Sequence, residues 1–400
     1  MQKAAWKLLL SFFLLITLVL LVGVAQAQEN AATAQPQAAA APYHPAAAAF
    51  ATPLPKPASP AVTEGPDPSR KWEIEVHGGG AFANSPHDGT GTLPGAGATF
   101  TAVNATTSRA IPSYYFGDGT LLYNQAVDAA AFPGITTHIM PLDPILTTRT
   151  AERDNGGAFG FRLSRDIARR WAIEANFDYS LANLRVNSTG LAGIEASRAT
   201  WATAWTENLT GFSPVVTSVS AIDRSEGQQI FGTVGVNLNL VSEGRVVPYL
   251  SFGGGALASV GDLPSATLVG NFQVTIRGGP HNNTDAVLIN WSTPDLQAVG
   301  YFGGGIKYYV TPRWGFRIDA RDYLSGNGLE QFVSASPAVL TLTPAQTIDF
   351  SGVSPNIQLS NNPPGGPDTL SGPALTRFRT FSGEGIRNQA VVSGGIFFRF

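Results

Sequence analysis

The chain contains no cysteine, so disulfides, thiolate metal sites and a cysteine nucleophile are all excluded. Charge is scarce as well: only 13% of its 400 residues are Asp, Glu, Lys or Arg, and the formal net charge is −3. That balance gives no basic face for nucleic acid, which would require clustered Lys and Arg. Long apolar runs are missing beyond the N-terminus, so no later segment reaches the roughly 20 residues of a membrane-spanning helix. A chain without disulfides needs another source of stability. What is plentiful is Gly, Ala, Thr, Ser and Asn, with 10% aromatic residues.

The N-terminus reads as an export signal. Lys3 and Lys7 precede an apolar run from Leu8 to Val24, and Ala25-Gln26-Ala27 supplies a small-x-small exit, which predicts cleavage after residue 27. Residues 28–70 are rich in Ala and Pro and have too few large apolar side chains to bury a core, so a disordered periplasmic linker is expected there.

From residue 71 the pattern changes to period two, and a domain spanning 71–400 is expected. Eight segments alternate apolar with polar or small residues: 71–84, 155–167, 171–185, 228–241, 247–260, 296–310, 314–325 and 387–400. Their connections alternate in length. "ARR", "SEGRV" and "TPR" are tight turns, whereas the other four run to roughly 35 to 70 residues, far above ordinary loop length. A soluble sandwich has no reason to place every long connection at one end. A transmembrane barrel does, with short periplasmic turns and long extracellular loops. The expected fold class is therefore all-β, a transmembrane antiparallel up-and-down barrel of eight strands with four long extracellular loops. Two further stretches, residues 271–277 ("NFQVTIR") and 285–291 ("DAVLINW"), fit a hairpin extending beyond the membrane better than a ninth and tenth strand.

Three of the segments open on a cation and a tryptophan: Lys71-Trp72, Arg170-Trp171 and Arg313-Trp314. Trp at the headgroup level beside a cation in the water is the expected periplasmic aromatic girdle. Aligning the segments on Trp72, Trp171 and Trp314 separates two faces. One is uncharged and includes Ile74, Val76, Ile173, Phe177, Phe316 and Ile318. The other carries Glu73, Glu75, His77, Glu174, Asn176, Asp178, Arg317, Asp319 and Arg321. Asp322 then breaks the uncharged face, which predicts either the end of the bilayer or a bulge. Eight strands enclose just enough space for their own side chains. The interior carboxylates Glu73, Glu75, Glu174 and Asp178 then need Arg162, Lys307, Arg317, Arg321 and Arg399 as partners, because an unpaired charge in a confined interior is costly. With Asp319 these residues form a predicted luminal charge network, read as a structural plug in preference to a gate or proton path.

The last ten residues, "VVSGGIFFRF", put Val392, Ile396, Phe398 and Phe400 on one face. This resembles the C-terminal strand of bacterial outer-membrane proteins, whose terminal aromatic is a sorting and assembly signal. With "PYLSFGGGALA" and "GYFGGGIKYYVTPRWGFRIDARDYL", residues 71–400 resemble the eight-stranded barrel family typified by the transmembrane domain of outer membrane protein A. The resemblance implies a location in the bacterial outer membrane, lipid as the surrounding partner, and the barrel-assembly machinery as a partner of Ile396, Phe398 and Phe400. The pattern departs from that family in its long loops and in having no peptidoglycan-binding domain after the last strand.

Catalytic chemistry finds little support. "HGGG" at His77–Gly80 could supply oxyanion-hole donors, but no G-x-S-x-G nucleophile elbow accompanies it. The glycine triplet recurs at Phe252–Gly255 and Phe302–Gly305 without histidine, which fits bending of a tightly curved sheet. Gly95-Ala96-Gly97 is no dinucleotide fingerprint, and His44, His77, His87, His138 and His281 lack metal-ligand spacing. No catalytic residue, cofactor or metal is expected. The anticipated role is structural or surface-interacting, through loops that meet an unidentified extracellular ligand. A small pore becomes the alternative if ten or more strands close the barrel, and an outer-leaflet lipid-modifying enzyme is the weaker one.

Overall fold

In the computed structural model the described residues are 66, 69–84, 86–95, 99–101, 107–110, 112–130, 134–212, 214–224, 227–276, 279–337, 357–358 and 375–400. The expected export signal and nearly all of the expected linker lie outside them.

Eight antiparallel strands close a barrel: β1 (Trp72–Asn84), β2 (Gly156–Asp166), β3 (Trp171–Ser180), β4 (Gln228–Asn239), β5 (Val246–Val260), β6 (Leu296–Tyr309), β7 (Trp314–Gly326) and β8 (Ile386–Arg399). Each pairs with its sequence neighbours, and β1 closes on β8 through twelve consecutive pairs from Glu73–Arg399 to Asn84–Asn388. The up-and-down order follows from the tight turns at 167–170, 240–245 and 310–313, which leave no room for a crossover. Alternation alone located these strands to within two residues, apart from the end of β3. That segment stops at Ser180, and its continuation Leu184–Val186 pairs instead with Ala151–Arg153 outside the barrel. No bulge follows Asp322, since β7 keeps unbroken register with both β6 and β8. Asp322 instead accepts a hydrogen bond from Asn388 Nδ2 at 3.2 Å.

The glycine triplets sit where strands come closest. A Cβ added to Gly79 would lie 1.9 Å from the Val392 carbonyl oxygen, and one on Gly305 would lie 2.1 Å from that of Ile318 and 2.5 Å from Tyr249 Oη. Glycine there permits tight coiling and keeps interior volume for larger polar side chains.

The four long connections expected between strands carry folded structure of their own. All four long connections contribute to a second folded layer, here called the crown. Its sheet has six strands in the order Gly89–Gly91, Leu375–Gly383, Glu330–Pro337, Gly279–Ser292, Ser265–Ile276 and Val215–Asp223. The two stretches read as a hairpin do form one, within this sheet and outside the barrel. Helices α1 (Gly117–Asp128), α2 (Asp143–Thr147) and α3 (Ser188–Asn208) belong to the same layer. Helix α3 starts where Asn187 accepts the Gly190 amide at 2.8 Å, a side-chain N-cap that satisfies one of the unpaired first-turn donors. Its buried residues Gly190, Ile194, Ser197, Trp201, Ala204 and Trp205 recur at helical spacing. Of these, Ile194, Trp201, Ala204 and Trp205 pack into an apolar core with Tyr115, Leu268, Phe272, Ile289 and Trp291. Trp201 stacks on Tyr115 at 5.3 Å between ring centroids, and Trp205 stacks on Phe272 at 4.8 Å. The physical reason is burial: the connections carry enough aromatic and β-branched side chains to build a core, but spread over four segments distant in sequence.

Candidate functional site

The interior of the barrel concentrates the unusual chemistry. Alternation along each strand sends every second side chain inward. Glu73, Glu75, Glu174, Asp178 and Asp319 are all buried there, as are Arg162, Lys307, Arg317, Arg321 and Arg399, so five carboxylates face five cations.

Arg317 is the hub. Its Nη1 lies 2.9 Å from Glu174 Oε2 and 3.2 Å from Glu75 Oε2, and its Nη2 lies 3.1 Å from Asp319 Oδ2. Its Nε donates to Tyr249 Oη at 2.6 Å, and its guanidinium carbon lies 4.3 Å from the centroid of the Tyr249 ring. Arg162 reaches Glu75 at 3.0 Å and lies 3.5 Å from both Glu174 and Asp319. Arg321 joins Glu174 at 2.5 Å and Asp319 at 2.6 Å. Each central carboxylate is thus shared by two or three guanidinium groups, whose planar forks suit multiple oxygens.

Not every expected residue joins this hub. Lys307 pairs with Glu73 at 2.6 Å, nearer the short turns. Arg399 contacts Asp166 and donates to Tyr309 Oη at 3.2 Å, away from the central carboxylates. Asp178 forms no direct ion pair with an arginine or lysine among the described residues. It takes His77 Nε2 at 2.5 Å and Tyr323 Oη at 2.7 Å. His77 belongs to this face by parity; Tyr249, Tyr323 and Asn237, which carry no charge to single them out in the sequence, complete the network, Asn237 donating to Glu174 at 2.7 Å. The available signal was their inward parity, since they alternate in step with the charged positions.

Apolar layers bracket the charges. Toward the crown, Phe231, Leu257, Val299, Tyr301, Tyr323 and Val391 form one buried cluster, while Val247, Tyr309 and Phe397 form another toward the short turns. Arg162, Arg317, Tyr249, Tyr323, Phe231 and Phe397 are among the largest side chains that are fully buried. Chemically, this is a packed, crosslinked filling.

The outer surface is the inverse. Every strand exposes large apolar side chains, among them Val76, Phe159, Ile173, Val234, Phe252, Phe302, Ile318 and Ile396, with Ile318 67% accessible. Trp171 and Trp314 are exposed at the short-turn end, and Arg165 lies over the Trp72 ring at 5.1 Å. Phe398 and Phe400 stack 6.2 Å apart, and Trp314 packs on Phe398 at 4.7 Å.

Fold and interior together define an eight-stranded antiparallel barrel with charge inside and hydrocarbon outside. No protein-family model matches the chain, and a search of curated proteins gives no match. Solved structures that resemble it include a major outer membrane protein of Thermus thermophilus, with 10% identity, TM-score 0.27, and coverage of 83% of this chain and 100% of that one. The outer membrane protease OmpT of Escherichia coli gives 8% identity and TM-score 0.29, covering 82% of this chain and 97% of its own. The toluene transporter TodX of P. putida gives 7% identity and TM-score 0.18, covering 82% and 90%. At these values the likeness carries no argument about this chain, and its function has to be read from its own geometry.

Proposed function

We propose that the chain is an outer-membrane β-barrel protein of a Gram-negative-type bacterium, closed in its lumen, whose surface role is performed by the crown. The observation that carries this reading is the inverted barrel. Exposed Ile, Val, Leu and Phe on all eight strands make a belt far larger than the few hundred Å² of apolar patch that a soluble monomer tolerates. Barrel strands of 10 to 15 residues also suit the tilted crossing of a hydrocarbon layer. Lipid is then the partner of the belt, with Trp72, Trp171 and Trp314 at the headgroups of the periplasmic face and the crown on the extracellular side.

The filled interior makes the barrel an anchor. Eight strands leave no bore once bulky side chains occupy it, and the pore alternative had required ten or more. An anchor that holds a folded layer outside the membrane presents a rigid interaction surface, and an extracellular ligand of the crown follows from that role. Planar-bilayer recording tests the closed lumen. The parent protein is expected to give no resolvable conductance steps, whereas Arg317→Ala, which removes the hub of the crosslink, should produce them. A steady open-channel current through the parent would overturn the reading.

Phe400 belongs to the same proposal as part of an assembly signal. Its amide donates to the Trp72 carbonyl at 3.0 Å, so it stands at the seam where β8 closes on β1, with its side chain outward. Phe400→Ser is expected to lower the yield of heat-modifiable barrel in the outer membrane severalfold, without changing the crown. Unchanged yield would remove Phe400 from that role.

A further inference from the structure

Three arginines converge where the crown meets the barrel mouth. Arg149 follows α2, Arg153 ends the short strand Ala151–Arg153, and Arg387 lies at the start of β8. They line one cavity of about 10 Å³, the space of a single oxygen-sized atom. Among the described residues, none of the three is within ion-pair distance of a carboxylate. Arg149 has only a longer-range attraction to Glu152.

Arg153 is the most demanding of them, at 5% accessible. Its Nη1 donates to the Gly227 carbonyl at 2.7 Å and also to that of Ala182. Its Nε and Nη2 are buried and have no hydrogen-bond partner among the described residues. Those two groups form the side-on edge with which guanidinium grips an oxyanion through two parallel hydrogen bonds. Arg149 spends its Nε on the Ala151 carbonyl at 3.0 Å and its Nη1 on that of Pro86, and Arg387 spends its Nε on Ser325 Oγ at 2.9 Å.

The electrostatics point the same way. Burial, and secondly repulsion from Arg387, push the Arg153 guanidinium down to about 9. Three like charges gathered around a small enclosed space, with two orphaned N–H groups, describe half of an ion-binding site. A neutral hydrogen-bond acceptor would satisfy the N–H groups and leave the charges uncompensated. An anion does both.

We propose that Arg149, Arg153 and Arg387 bind a phosphate-class oxyanion, either inorganic phosphate or the phosphate of an anionic lipid headgroup, with one oxygen entering the cavity against the Nε/Nη2 edge of Arg153. The small cavity admits the tip of such a group, while the remaining oxygens face Arg149 and Arg387. Occupancy would tie β8 of the barrel to the chain segment that runs from α2 into β2, so the anion stabilises the junction of the two layers.

The test uses the full-length protein in a non-ionic detergent free of phosphate, with unfolding of the crown followed by tryptophan fluorescence. One arm adds inorganic phosphate to about 10 mM against sodium chloride of matched ionic strength. The other adds short-chain phosphatidic acid against the corresponding phosphatidylcholine. A rise in midpoint with phosphate assigns the free ion, and a rise with phosphatidic acid alone assigns the headgroup. Arg387→Gln and Arg149→Gln should each weaken the response by roughly tenfold while the barrel stays heat-modifiable. Arg387→Gln is the decisive variant, because Arg153→Gln also removes the hydrogen bonds to Ala182 and Gly227. No rise beyond the matched controls in either arm, or an Arg387→Gln protein that responds like the parent, overturns the proposal. Neither result depends on whether the lumen conducts.

Discussion

Barrel and crown are built from the same chain by opposite rules. In the barrel, Arg317, Glu174 and Asp319 are buried while Ile318, Val76 and Phe316 are exposed; in the crown, Trp201, Trp291 and Leu268 are buried and the charged Glu195, Arg379 and Glu330 lie toward solvent. Even the ion pairs divide this way. Arg317–Glu174 is fully enclosed, whereas the Arg379–Glu330 pair has side chains 60% and 36% accessible. The difference teaches that burial of charge is no fixed property of a fold. It depends on what the outer surface presents: the barrel strands, apolar on their outward half, send their polar half inward, and strands facing water do the reverse.

Each region should therefore fail by its own mechanism. The largest expected effect is in the barrel, where Arg317→Ala leaves Glu75, Glu174 and Asp319 short of a cation. Such a break in a dry network costs about 3 to 5 kcal/mol. The urea midpoint of barrel unfolding, followed by heat-modifiability, measures it, and an unchanged midpoint would mean that the interior is wet. In the crown the comparable lesion is loss of volume. Trp201→Ala empties the space between Tyr115 and Trp205 and should destabilise the crown by about 3 to 5 kcal/mol. The sharper outcome is independence: limited proteolysis should cut the Trp201→Ala crown while the barrel remains intact. Simultaneous loss of both would show that they fold as one unit.

The smallest effect is a pH dependence confined to the crown. Asp285 is fully buried, and its Oδ2 accepts from the Tyr114 amide at 2.8 Å and from Trp201 Nε1 at 3.3 Å. Burial raises its carboxyl to about 6, from the usual 3.8. The folded crown therefore holds a proton that the unfolded chain has released between those values. Stability from this group is present at about pH 4 and declines as pH rises through 6, by up to about 3 kcal/mol for a shift of that size. Asp285→Asn should flatten the dependence in tryptophan-monitored melts. A parent crown equally stable at both ends of that window would contradict it.

The barrel was legible because its rule is local. Period-two alternation, a cation before Trp72, Trp171 and Trp314, and the contrast of short with long connections all lie within a few residues of one another. The interior charges were legible for the same reason, since parity counted from each tryptophan assigns Glu75, Glu174 and Arg317 to one face. The crown was not. Helix α3 offers Gly, Ser and Ala on its packed face alongside Ile194, Trp201 and Trp205, so its hydrophobic stripe is faint, and the strands it covers come from other connections.

By itself, then, the sequence determined which residues face in and which face out along every barrel strand, because that choice is fixed by alternation against a two-sided environment. Only the tertiary structure decided who meets whom: that Asp178 takes His77 and Tyr323 where a guanidinium was expected, that Arg399 leaves the hub for Asp166, and that Arg149, Arg153 and Arg387 converge without a counter-charge among the described residues. These partners lie up to hundreds of residues apart, and their meeting depends on strand register and barrel closure, which no local pattern encodes.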